Sequence, residues 1–120
     1  MQDYHEPYEE LSDKDRSYVY ALNSLKEEIE AIDWYNQRAA VSKDPTIKEV
    51  MEHNRDEEIE HAVMLIEWLR RNMDGWDEEL RSYLFTEKPL LEVEEEAVEE
   101  ESKEESSSNK KGDLGLRGLK

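Results

Sequence analysis

Two long stretches without glycine or proline, residues 12–41 and 46–73, sit either side of a short turn, and a 120-residue chain built this way has little choice but a helical hairpin. In the first stretch apolar residues recur in steps of three and four at Tyr18, Ala21, Leu25, Ile32, Tyr35 and Ala39, with Leu22 and Ile29 widening the stripe. In the second, Ile47, Met51, Leu65 and Trp68 follow the same rhythm. That spacing marks one face of an α-helix and the a/d seam of a coiled coil. Ser12 with Asp15 three residues on predicts a capping box at the start of the first helix. Asp44 followed by Pro45 predicts a cap and a first helical residue for the second. A turn as short as Ser42–Asp44 makes the two helices antiparallel neighbours. Each runs to roughly 28 residues, or about 42 Å, so the seams can meet over most of their length.

Both seams are broken at mid-length by polar residues: Glu28 in the first, and Asn54, Glu58 and His61 in the second. A carboxylate buried beside an imidazole costs several kcal/mol, on the order of a broken ion pair, unless a partner or a metal compensates. Glu58 and His61 are three apart, so they project from one helix face and can grip a single ion. Glu28 stands about 16 residues before the turn and Glu58 about 14 after it, at matching heights. The alternative is that polar seam residues set register and oligomeric state, a task that one Asn or Lys suits better than two glutamates and a histidine.

One hairpin thus supplies two carboxylates and one imidazole, half of the set found in di-iron carboxylate bundles, where two helices each give a Glu and two give a Glu-x-x-His. Two copies about a two-fold axis would complete it. Glu58 and His61 would be terminal ligands and Glu28 would bridge two ions roughly 3.5–4 Å apart. Carboxylate and imidazole suit iron, with calcium, manganese and zinc as alternatives at the same or secondary sites. Trp34 and Tyr35 lie within two helical turns of Glu28. Tyr35, on the seam, is placed to hydrogen-bond a ligand or donate an electron, or simply to pack. Glu27 and Glu30 flank Glu28 and either draw cations toward it or face solvent. Met51 and Trp68 read as core, and His5 and His53 as solvated.

Residues 1–11, with Pro7, read as an irregular or short-helical arm. Asp74-Gly75 ends the second helix, and Trp76 to Phe85 forms a shorter amphipathic third helix whose apolar face needs a second subunit to cover it. The helical domain spans residues 12–91, with Pro89 near its end. Between Glu92 and Glu105 there are nine glutamates and one lysine, followed by three serines, and this predicts a disordered acidic linker over 92–108. The remainder, 109–120, ends in GDLGLRGLK (Gly112–Lys120), an apolar and basic peptide suited to docking in another protein's groove. With 41% charged and 36% hydrophobic residues the core is thin, so a homo-oligomer is expected. A net charge of −17 argues against nucleic acid or an anionic membrane as partner and favours cations. No cysteine is present, which excludes disulfides and thiol chemistry. The start of the chain lacks the basic and apolar segments of a secretory signal, and no apolar run approaches the roughly 20 residues of a membrane span, so a cytoplasmic location is expected.

EEIEAIDWYNQR (Glu27–Arg38), DPTIKEVMEHNRDEEIEHAVMLIEWLRRN (Asp44–Asn72), SYLFTE (Ser82–Glu87) and the terminal GDLGLRGLK together resemble the encapsulated ferritins, two-helix ferritin-like proteins packaged inside encapsulin nanocompartments. The resemblance covers residues 12–91 and the last nine, and no ligand position departs from it; the terminal peptide matches less closely than the core. It implies an all-α hairpin with a short third helix that dimerises into a ferritin-like four-helix bundle, and a ring of five dimers. It implies a ferroxidase centre at the dimer interface made by Glu28, Glu58 and His61 from each subunit. It assigns Trp34 and Tyr35 to the family's aromatic pair near that centre, and Glu27 and Glu30 to secondary metal binding and uptake. Fe(II) would be oxidised to Fe(III) and passed to the encapsulin lumen, with Gly112–Lys120 docking on the shell protein. Two other functions stay open from the residues alone: a non-catalytic helical adaptor tethered by its tail, and a dimer bridged by a structural metal.

Overall fold

The computed structural model describes residues 4–111, with side chains as far as residue 105. These residues form a 3-10 turn at Tyr8–Glu10 and four α-helices: α1, Asp13–Val41; α2, Pro45–Asn72; α3, Trp76–Tyr83; and α4, Leu90–Lys111. No strand occurs among them.

The first two helices start where their caps demand. Ser12 Oγ accepts from the Asp15 amide at 3.0 Å while the Asp15 carboxylate accepts from the Ser12 amide at 3.4 Å, closing the capping box. At α2 the Asp44 carboxylate accepts from the Thr46 hydroxyl at 2.7 Å and from the Thr46 and Ile47 amides at 2.9 and 3.4 Å. The Thr46 hydroxyl first, then those amides, hold the Asp44 carboxyl below its ordinary value. The two helices run antiparallel. Asn36 meets Arg55, Glu28 meets His61, and Tyr18 stands edge-on to Trp68 with ring centroids 6.3 Å apart, so numbers fall along α1 as they rise along α2.

Every seam position of α1 from Tyr18 to Ala39 is buried or half-buried, Ala21, Leu25 and Ala39 most of all. On α2 the outcome differs from the expected seam. Its buried residues are Ala62 and Leu69, each one place beyond His61 and Trp68, while Ile47 keeps half of its surface exposed. A single neighbouring helix covers only one edge of a broad apolar stripe, and α2 is met along the edge that carries Ala62 and Leu69. The uncovered edges hold Leu22 and Ile29 on α1 and Ile59, Val63 and Met64 on α2, all exposed.

Contacts gather into two compact units, one ending at Leu69 and one beginning at Arg70. In the first, the arm is tied down rather than loose. Arg16 donates to the Tyr8 carbonyl at 2.6 and 3.2 Å, its guanidinium lies 3.8 Å from the centre of the Tyr8 ring, and Tyr4 packs edge-on to the same ring. In the second, Gly75 takes a φ of 98° that its lack of Cβ permits, and α3 begins immediately after it. Asp77, in the first turn of α3, receives both Arg70 and Arg81.

The stretch expected as a disordered linker from residue 92 is instead helical, and α4 crosses the expected boundary at residue 91. Pro89 begins a helix rather than ending the ordered part: its carbonyl accepts from the Glu92 and Val93 amides at 3.0 and 3.1 Å. Residues 90–111 contain neither glycine nor proline, and Glu, Leu, Ala and Lys are strong helix formers. Tertiary contact adds to propensity, since α4 packs on α3, Val93 is buried, and Lys88 Nζ pairs with Glu96 at 2.8 Å. That pair holds the Lys88 ammonium above its ordinary value. Burial, with help from Glu94 and Glu79, pushes the Tyr83 phenol up as well. The peptide Gly112–Lys120 lies outside the described residues.

Candidate metal centre

α1 presents Glu28 at its middle, and α2 presents Glu58 and His61 one turn apart on the facing side. The antiparallel register set by the Ser42–Asp44 turn brings the three together. His61 Nδ1 lies 3.6 Å from Glu28 Oε2 and 3.5 Å from Glu58 Oε2. One donor atom from each of the three falls within 4.8 Å of the others, and no other such group of His, Asp and Glu occurs among the described residues. Glu28 and Glu58 keep about a quarter of their side-chain surface, at 24% each, and His61 keeps 43%, so the cluster sits half-buried at an open face of the hairpin.

The decisive detail is one oxygen. Glu28 Oε2 is buried and accepts no hydrogen bond. The separations to His61 exceed those of a hydrogen bond. A buried acceptor without a donor is costly and rare in folded proteins, and a cation is the partner that two carboxylates and an imidazole suit. Ligand atoms that are each about 2.1 Å from one ion stand at most about 4.2 Å apart, so side-chain rotations of under about 1 Å would close the triad on a metal. Three ligands still leave much of a four- to six-coordinate shell open.

The other expected site residues fall around this triad, not in it. Glu27 and Glu30 are exposed on α1 and take no part in the cluster. Tyr35 is half-buried, with the Arg38 guanidinium 5.4 Å from its ring centre. Trp34 is half exposed and, with Gln37 and Arg38, lines a shallow hollow. Sequence reasoning missed the bond from Arg55 Nη1 to Asn36 Oδ1 at 3.0 Å, which joins the helices one turn nearer the hairpin turn than Glu58. Both residues lie beside the seam, and polar residues there read as solvated charge, so single-sequence periodicity gives no sign of the pair.

Residues 3–87 match the family described as EncFtn-like. The chain belongs to the EncFtn-like family. It is 61% identical over 116 residues to a ferritin-like protein of Thermotoga maritima, covering 97% of this chain and 96% of that one. It is 51% identical over 90 residues to the encapsulated ferritin-like protein of Rhodospirillum rubrum, covering 75% of this chain and 64% of that protein. Among solved structures, protein ne0167 from Nitrosomonas europaea superposes with a TM-score of 0.70 at 55% identity, over 72% of this chain and 94% of that one. The all-α, ferritin-like reading of the sequence therefore holds, as does the resemblance to the encapsulated ferritins. No helix among the described residues is long and apolar enough to cross a membrane.

Proposed function

We propose that this EncFtn-like chain is a ferroxidase, oxidising Fe(II) at a di-iron site shared between two subunits and doing so as cargo inside an encapsulin shell. The observation that carries the proposal is the triad of Glu28, Glu58 and His61, with its unpartnered buried oxygen and its incomplete ligand set. A second hairpin about a two-fold axis would bring the same three residues and double the donor count. It would also cover the exposed edge that Leu22, Ile29, Ile59 and Val63 leave on the first.

In this reading the residues divide the work. Glu27 and Glu30, exposed beside the site in a strongly acidic chain, raise the local concentration of Fe(II). Glu58 and His61 would hold an ion together from one helix face, with Glu28 as the third donor. Two Fe(II), the substrate, would supply two electrons to dioxygen at this site. Tyr35 and Trp34 pack near the site and are placed to hold a ligand's orientation or pass an electron. The resemblance to the encapsulated ferritins adds assembly as a ring of five dimers, docking of Gly112–Lys120 on the shell protein, and storage of the ferric product in the shell lumen. The name of the Rhodospirillum rubrum relative supports that packaged setting.

The test is aerobic addition of Fe(II) to the purified protein, following ferric absorbance, with Glu58→Ala and His61→Ala alongside. Oxidation faster than autoxidation in buffer and lost in both variants is the expected result. Oxidation no faster than in buffer would sink the proposal in favour of a structural metal or an adaptor role.

A further inference from the structure

Within the second unit, the end of α3, the residues after it and the first half of α4 line an open groove of about 710 Å³. Its apolar lining is Phe85, Val93 and Ala97. Phe85 is unusual on two counts. It takes a φ of 64°, in the left-handed region that bulky residues avoid, and its side chain is fully exposed. Among the described residues the ring is in open solvent. The charges around the groove are not balanced. Arg81 is paired with Asp77 and Lys88 with Glu96, whereas Glu87 and Glu100 have no ion pair among the described residues. The groove thus offers an exposed aromatic beside two unneutralised carboxylates.

The chain carries a segment of matching chemistry. Gly112–Lys120, GDLGLRGLK, presents Leu114, Leu116 and Leu119 with Arg117 and Lys120 and only one acid, Asp113. It follows directly on α4, which ends at Lys111. Glu100 stands 11 residues before that end, about 16 Å along a helix, and Ala97 stands about 21 Å away. Nine extended residues span about 30 Å, enough to turn back and bring Arg117 to Lys120 over the groove. We infer that the groove lined by Phe85, Val93 and Ala97 is a docking site for the terminal peptide Gly112–Lys120 of the same chain, with leucine on the aromatic and the basic residues against Glu87 and Glu100. The peptide then has two places to bind, its own chain and an outside partner, and release from the first precedes capture by the second. This inference is independent of iron chemistry.

The natural chain has no cysteine, so introduced ones report without background. In the full-length protein, Thr86→Cys with Gly118→Cys tests the groove, and Tyr20→Cys with Gly118→Cys is the control at an exposed position of α1. Under mild oxidation the groove pair should form an intrachain disulfide at least about tenfold faster than the control, because docking raises the effective concentration of the two thiols. Adding Glu87→Lys and Glu100→Lys should remove that advantage. Equal rates in the two pairs, no effect of the lysines, or a product of twice the chain mass would overturn the inference. A second measurement does not depend on a disulfide. A nitroxide on Gly118→Cys alone should tumble slowly and be freed by Phe85→Ser, and motion unchanged by that substitution would equally overturn it.

Discussion

Glu28 Oε2 shows how much one atom can say about a fold's purpose. A buried acceptor left without a donor costs about 1–3 kcal/mol, which a protein selected for stability alone would not retain. Glu28→Leu should therefore raise the melting temperature of the metal-free protein, by several degrees if about 1 kcal/mol is recovered. The same variant should lose any rise in melting temperature caused by Fe(II), and calorimetry with and without the ion checks both halves. Asp44 gives the pH counterpart. Its carboxylate is held below the usual value by Thr46 and Ile47, so it contributes stability above its unfolded value that is lost as the pH falls through its folded one. Replacing it by Asn should flatten the acid limb of stability against pH, as measured by urea unfolding across the carboxylate range. At this scale the sequence was legible wherever a short-range rule applied: Ser12 with Asp15, Asp44 with Pro45, Glu58 with His61. It was silent on Arg55 with Asn36 and on Arg16 with Tyr8, because those pairs join residues that no fixed spacing relates.

At the scale of elements, periodicity located α1 and α2 because a helical face repeats whatever its partner. It misjudged which edge of α2 is buried, since Ala62 and Leu69 are inside by virtue of where α1 lies, and that is a tertiary fact. It misjudged 92–108 for a different reason. Charge density argued for a chain too self-repelling to order, yet the same glutamates are good helix formers with no breaker among them. Both forces act on α4, and their balance is adjustable. Glu92 and Glu96, Glu95 and Glu99, Glu96 and Glu100, and Glu100 and Glu104 are like-charged neighbours one turn apart. Raising ionic strength from about 0.01 M to about 1 M shortens the screening length from about 30 Å to about 3 Å and should deepen the helical circular dichroism signal at neutral pH. A variant with Glu95→Lys and Glu99→Lys, which interrupts the run of like charge, should respond less. A salt response identical in the two proteins would refute this account of α4.

At the scale of the molecule, one chain offers three donors at the triad and leaves an apolar edge uncovered, and the proposed dimer would add donors and cover that edge at once. Metal and partner are then linked by mass action, so Fe(II) added to dilute metal-free protein should raise its mass, and a chelator should lower it again. Sedimentation at fixed protein concentration is the check, and a mass indifferent to iron would count against a shared site. The antiparallel hairpin also suggests an order of events in time. Contacts across it are separated by 19 residues at Asn36–Arg55, by 33 at Glu28–His61 and by 50 at Tyr18–Trp68. Loop closure is cheaper for the nearer pairs, so a hairpin zipping from its turn would join Arg55 to Asn36, then bring Glu28, Glu58 and His61 together, and only afterwards close the aromatic pair at its far end. Loop closure alone would thus bring Glu28, Glu58 and His61 together before the far end of the hairpin, at Tyr18 and Trp68, has met.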